Sequence, residues 1–122
     1  MTTPFERMRA LRWGCECLGQ IAEDKGVPEL VRTRATTLRL SYPSRKQIEN
    51  RVESQLKLPA EWEAVFDMTL GILLEVQAHH FGQDETQTKV RYALRHFPDR
   101  HFIGFLTQYG SLDQWLQKEK QE

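Results

Sequence analysis

Cysteine is scarce in this chain: Cys15 and Cys17 are the only two. Two positions apart on a helix they point in different directions, which excludes both a disulfide between them and a shared metal clamp. A long apolar run is also missing. The most apolar stretch, Met68–Gln77, is preceded by Asp67 and interrupted by Glu75, so no stretch reaches the length of a membrane span. Sheet signatures are absent as well, since no segment alternates strictly between apolar and polar residues and no Asn-Gly or Asp-Gly pair marks a hairpin. The opening residues Met1-Thr2-Thr3-Pro4-Phe5-Glu6 carry neither a basic nor an apolar leader region, so no secretory signal is expected and the cytoplasm is the expected location. There are no internal repeats, low-complexity tracts or long linkers.

What is present fits one helical domain spanning residues 1–122. That length can bury a core without disulfide or metal staples. The apolar share of 39% and charged share of 28% suit a compact helical protein. Net charge is zero, but residues 1–57 carry eleven Lys and Arg against seven Asp and Glu, and the remainder carries six against ten. A bipolar chain gains little from long-range attraction to nucleic acid, yet it can steer a charged protein partner by presenting one pole.

Helix boundaries are written clearly. Thr3-Pro4-Phe5-Glu6 reads as a capping box with proline at the first helical position. Phe5, Met8, Cys15, Leu18 and Ala22 then trace an apolar face to about Lys25, with Gly26 as the stop. Pro28 opens a second helix with Val31, Ala35 and Leu38 inward, ending before Tyr42-Pro43. Ser44-Arg45-Lys46-Gln47 is another capping box, leading into Ile48, Val52 and Leu56. Pro59 starts a fourth helix, expected to be the longest and the one around which the others pack. It runs through Trp62, Val65, Phe66, Leu70, Leu73, Leu74 and Phe81 to a stop at Gly82. The mid-helix Gly71 predicts a close crossing with a neighbouring helix. Asp84-Glu85-Thr86-Gln87 begins a fifth helix with Val90, Ala93, Leu94 and Phe97 inward. A short aromatic helix (Phe102, Ile103, Phe105, Leu106, Tyr109) and a last one carrying Trp115 and Leu116 complete an all-α bundle of about five to seven helices.

Catalytic patterns are not found. Glu75 and His79 share a helical face, and His80, His96 and His101 lie nearby in sequence, but no His-Glu-x-x-His or Cys-x-x-Cys spacing supplies converging metal ligands. Histidines near a helix C-terminus are accounted for by the helix dipole and solvent. The carboxylate pairs Glu61/Glu63, Asp84/Glu85 and Glu119/Glu122 sit at helix starts or in the tail, not in the apolar settings that tune an acid or base. No phosphate-cradling loop or activated nucleophile appears, so the expectation is a protein that is not an enzyme, with no cofactor and no metal.

Arg7, Arg9, Arg12, Arg32, Arg34, Arg39, Arg45, Lys46 and Arg51 could form a nucleic-acid face. They are interleaved with Glu6, Glu16, Glu23, Glu29, Glu49 and Glu53 at spacings that make ion pairs along a helix, so solvated faces explain most of them. The aromatics Trp13, Tyr42, Tyr92, Tyr109 and Trp115 are of the kind enriched at protein interfaces, although packing in a small bundle uses the same side chains.

Met68-Thr69-Leu70-Gly71-Ile72-Leu73, followed by Phe81-Gly82-Gln83-Asp84-Glu85 and Tyr92-Ala93-Leu94, resembles the small helical immunity proteins of bacterial type VI secretion. The likeness is to the family that neutralises NAD(P)-glycohydrolase effector toxins, in which a Thr/Asn-Leu/Ile-Gly step opens a long aliphatic helix before an acidic turn and a closing helix. Thr3-Pro4-Phe5-Glu6 with Arg9-Ala10-Leu11 is similar to the opening of such proteins. The resemblance spans most of the chain loosely and Met68–Leu94 most specifically. Where the family usually continues with Ala-Val and then a basic and an acidic residue, this chain has Leu74-Glu75-Val76-Gln77, and it extends further at its C-terminus.

The resemblance implies a protein that performs no chemistry and covers the active site of a cognate toxin domain, through an interface of roughly 800 Å² on each side. The expected contact face is the turn His79-His80-Phe81-Gly82-Gln83-Asp84-Glu85. Its polar members His79, His80, Gln83, Asp84 and Glu85 belong to the acidic half and could complement a basic NAD-phosphate pocket. The rival expectation is a helical antitoxin or regulator that binds nucleic acid through the basic N-terminal half. A metal-dependent enzyme built on Glu75, His79 and the other histidines is the third.

Overall fold

The computed structural model describes residues 4–53, 57–99, 101, 103, 104 and 107. Among these residues it contains five helices and no strand: α1 (Pro4–Glu23), α2 (Glu29–Ser41), α3 (Arg45–Glu53), α4 (Glu61–Ala78) and α5 (Asp84–His96). The all-α fold expected from the sequence is the fold observed. Backbone at His101, Ile103, Gly104 and Thr107 is also helical, where the short aromatic helix was expected. Thr3, Leu56, Phe102, Phe105, Leu106, Tyr109 and the Trp115–Leu116 helix lie outside the described residues.

Local signals set the helix ends. Pro4 is the first residue of α1, and Pro28 precedes Glu29 at the start of α2, where its fixed φ suits a helix entrance. At α3 both arms of the capping box form: the Gln47 amide N–H donates to Ser44 Oγ at 3.1 Å, and the Ser44 N–H donates to Gln47 Oε1 at 2.8 Å. Tyr42 closes α2 in an extended conformation, as expected of the residue before Pro43.

The hub is α1, not α4. It touches all four other helices, most extensively α2 and α5. At 20 residues it also exceeds the 18 of α4, contrary to expectation. Small residues explain its position. Ala10, Gly14, Cys17 and Gly19 are buried alongside Leu11, Leu18 and Ile21, and their short side chains let neighbours approach closely. Gly14 shows this directly, because the Tyr42 and Phe97 rings fill the space a Cβ would take. The buried face of α1 is therefore rotated from the expected stripe: Cys15 and Ala22 are only half-buried, and Cys17 lies inside. Tyr42, a candidate surface anchor, is instead core. Its hydroxyl donates to the Leu11 carbonyl, and its ring meets Phe66 edge-on at 5.4 Å.

Helix α4 buries Phe66, Thr69, Ile72, Leu73 and Val76 and turns Ala64, Met68, Gly71, Leu74 and Ala78 outward. Leu74, expected inward, is about half exposed (49%). Thr69 is accommodated by donating its hydroxyl to the Val65 carbonyl one turn back. Among the described residues, no atom from outside α4's own backbone lies within 4 Å of where a Gly71 Cβ would stand, so the expected tight crossing at Gly71 is not made by any described element.

Replacing Ser44 with alanine removes one arm of the α3 capping box and is expected to lower unfolding stability by about 1 kcal/mol, read from urea denaturation.

Candidate functional site: a pinned interhelical turn

Five of the residues singled out from the sequence fall on one connection. Helix α4 ends in a Schellman arrangement, with the Phe81 N–H donating to the Val76 carbonyl at 3.1 Å and the His80 N–H to the Gln77 carbonyl at 3.3 Å. The left-handed position this motif needs is filled by His80, with φ of 51°, rather than by glycine. Gly82, the expected helix stop, sits two residues later with φ of +83°. A non-glycine residue in that conformation carries roughly 1 kcal/mol of strain. His79, His80, Gln83, Asp84 and Glu85 are all exposed. The His79 ring stacks on Phe81 at 5.2 Å, and Glu85 reaches Lys89 at 3.8 Å along α5.

From inside, the turn is sewn down by two side chains. Gln87 donates through Nε2 to the Phe81 carbonyl at 2.7 Å and to the Val76 carbonyl at 3.0 Å. Asp24, in the α1–α2 turn and only 6% exposed, accepts three hydrogen bonds. Its Oδ2 receives the Gln83 N–H at 2.8 Å and the Thr86 hydroxyl at 2.5 Å, while Oδ1 receives the Gly26 N–H at 2.8 Å. Gln20 extends the network by donating to Thr86 Oγ1 at 3.2 Å, and Lys89 donates to Gln20 Oε1 at 3.2 Å. The two turns touch backbone to backbone, since a Cβ on Gly26 would lie 3.2 Å from the Gly82 Cα. A Cβ on Gly82 would stand 2.5 Å from Asp24 Oδ2.

Burial alone would raise the Asp24 pKa. The hydrogen bonds from Thr86, Gln83 and Gly26, with the positive charge of Arg32 nearby, outweigh burial and hold the carboxyl below its usual value. The sequence signal for Asp24 was present but small: an aspartate two residues before a glycine is an Asx-turn pattern.

Several of the other candidates are used structurally. Arg12 pairs with Glu49 between α1 and α3, Arg34 with Glu75 between α2 and α4 at 2.6 Å, and Arg45 with Glu49 along α3 at 3.0 Å. Arg32 donates to the Val27 carbonyl at 2.9 Å, and Arg9 lies 5.9 Å from the centre of the Trp13 ring. Pairing between helices was not expected from the spacing, which pointed to pairs within one helix. Glu75 is held by Arg34 while the His79 ring lies on Phe81, so the two do not converge. Among the described residues, no group of three or more His, Cys, Asp or Glu is placed to hold a metal ion. Burial, with the Glu16 charge adding to it, pushes the Cys17 thiol up to about 12, which keeps it in the unreactive protonated form.

No family model, curated protein or solved structure matches this chain. No helix among the described residues is long and apolar enough to cross a membrane.

Asp24→Asn leaves donors of the two turns facing an amide, and is expected to destabilise the fold by about 1–3 kcal/mol at neutral pH. Because the folded-state pKa of Asp24 is the lower one, its contribution is complete above the unfolded value and fades as the pH falls through the folded one. The stability gap between wild type and Asp24→Asn should therefore be constant above about pH 5 and close below about pH 4, measured by urea unfolding across that range.

Proposed function

We propose that this chain is an immunity protein that binds and inhibits a cognate toxin domain, using the turn His79–Glu85 as a preorganised contact. The observation that carries this reading is His80. A side chain occupies a left-handed position where glycine would be less strained, and it does so on an exposed turn whose backbone Asp24 and Gln87 hold from below. Strain kept at an exposed position is a pointer to use.

A fixed turn loses little freedom on docking, which is the main way a small interface gains affinity. Gln83 precedes α5 without using its side chain as a cap, and Asp84 and Glu85 place two carboxylates in the exposed first turn of that helix. These groups suit a basic cleft, and the resemblance to type VI secretion immunity proteins names NAD(P)-glycohydrolase toxins as the class to test first. Inhibition would follow from steric cover of the cleft, with no bond made or broken. Three of the cations that would carry a nucleic-acid function, Arg12, Arg34 and Arg45, are engaged in ties between and along helices.

The test is to inspect the neighbouring reading frame for a secreted-effector toxin domain and co-express that domain with this chain, followed by inhibition of the purified domain. Wild-type protein is expected to restore growth and to inhibit stoichiometrically; failure to protect sinks the reading. His80→Gly should raise unfolding stability by about 1 kcal/mol by relieving the left-handed strain. The same change is expected to weaken inhibition at least about tenfold, or roughly 1.4 kcal/mol. Inhibition left intact in His80→Gly and in Asp84→Ala/Glu85→Ala would move the contact away from this turn.

A further inference from the structure

We infer that the seam between α1 and α5 is a site for a small aromatic anion, a planar ring carrying a phosphate or carboxylate. Trp13 and Tyr92 take the ring, and Arg9 and Arg95 take the anionic group. Two hollows lie along this seam, and Trp13 and Tyr92 border both. One, of about 190 Å³, is also bordered by Glu16, Cys17 and Lys89; the other, of about 270 Å³, by Glu6, Arg9, Arg95 and His96. Together they have the dimensions of a small-molecule site, roughly 300–1,000 Å³.

The aromatic pair supplies the first half of the recognition. Trp13 is half-buried on α1, and Tyr92 is 56% exposed on α5. Among the described residues the two rings do not stack on each other, although they border the same hollows. Neither covers the other's face, and stacking on such faces accepts any planar ring. Polar ties fix the two walls. The Cys17 thiol donates to the Lys89 carbonyl at 3.4 Å, and Gln20 donates to Thr86 Oγ1 at 3.2 Å. A cleft whose walls are already set loses little freedom on binding.

Charge supplies the second half and sets the ligand's direction. Arg9 and Arg95 are exposed, and neither makes an ion pair among the described residues, unlike Arg12, Arg34 and Arg45. The carboxylate beside them, Glu6, accepts from His96 Nε2 at 2.8 Å. With two guanidiniums against one carboxylate, that end is net positive whether His96 is protonated or neutral. At the other end Glu16 is exposed, while the Lys89 ammonium is engaged by Gln20 Oε1 at 3.2 Å and Glu85 at 3.8 Å. An anion is therefore repelled from the Glu16 end and drawn to the guanidiniums, whose paired N–H donors match phosphate and carboxylate. Arg9 lies 5.9 Å from the centre of the Trp13 ring, which puts a cation and a stacking face within the span of one small ligand. A neutral ring would leave the arginines unused, and an inorganic anion would leave the aromatics unused. None of the named bordering residues belongs to the His79–Glu85 turn, so this inference and the toxin reading stand or fall separately.

The experiment is isothermal titration calorimetry on the full chain, with adenosine monophosphate as the phosphate probe and indoleacetate as the carboxylate probe. At least one is expected to bind with Kd below about 1 mM, and which one does so identifies the anion. Adenosine and inorganic phosphate, each half of a ligand, should bind at least about tenfold more weakly than the positive probe. Tyr92→Ala and Arg9→Ala/Arg95→Ala change exposed side chains, so the helical circular dichroism spectrum should be kept while binding weakens about tenfold or more. Tyr92→Phe, which retains the ring, should bind as wild type does. Failure of both probes to bind below about 1 mM overturns the inference. So does binding left unchanged by either alanine variant, or adenosine that binds as tightly as its monophosphate.

Discussion

One buried carboxylate holds the connections of this bundle in place. Asp24 takes hydrogen bonds from its own turn and from the turn joining α4 to α5, two segments 59 residues apart in the chain. Without it, the Gln83 N–H and the Thr86 hydroxyl would have to find other acceptors in a region closed by the approach of Gly26 to Gly82. A buried charge is tolerated only where its lone pairs are occupied, and here three donors do so, with the positive charge of Arg32 nearby adding to their effect. The α1–α2 and α4–α5 hairpins are thereby registered against each other by a directional contact, which apolar packing alone does not provide. Every position in the exposed turn above inherits that fixed geometry.

How much of this was legible in the sequence depended on whether the signal was local. Pro28, the Ser44–Gln47 box, the inward Val31, Ala35 and Leu38, and the start of α5 at Asp84 were readable because each is decided within a turn or two of helix. Leu74, Gly71 and the hub helix were misjudged for one shared reason. Periodicity reports which side of a helix is apolar, but not how much of that side the rest of the chain can cover. Among the described residues, α4 is apolar over more of its circumference than α1, α2 and α5 reach. Helix α1 became the hub through Ala10, Gly14, Cys17 and Gly19, residues whose contribution is the absence of bulk and which carry little hydrophobic signal. In the candidate site, the exposed residues were legible as a polar turn, whereas Asp24 was not. Its partners Gln83 and Thr86 are brought to it only by the tertiary fold.

The arginines show the same distinction between spacing and packing. Spacing pairs Arg12 and Arg34 with acids in their own helices, yet each crosses to a carboxylate on another helix. Glu49 gathers both Arg45 and Arg12, and the hydrogen bonds from these two guanidiniums hold its carboxyl below the usual value. Such exposed pairs contribute little stability individually. Their consequence here concerns what the surface can do: an arginine held in an ion pair is a weaker phosphate ligand than a free one. The bipolar charge of the sequence is thus partly consumed inside the fold, and what remains exposed on the α4–α5 turn is acidic.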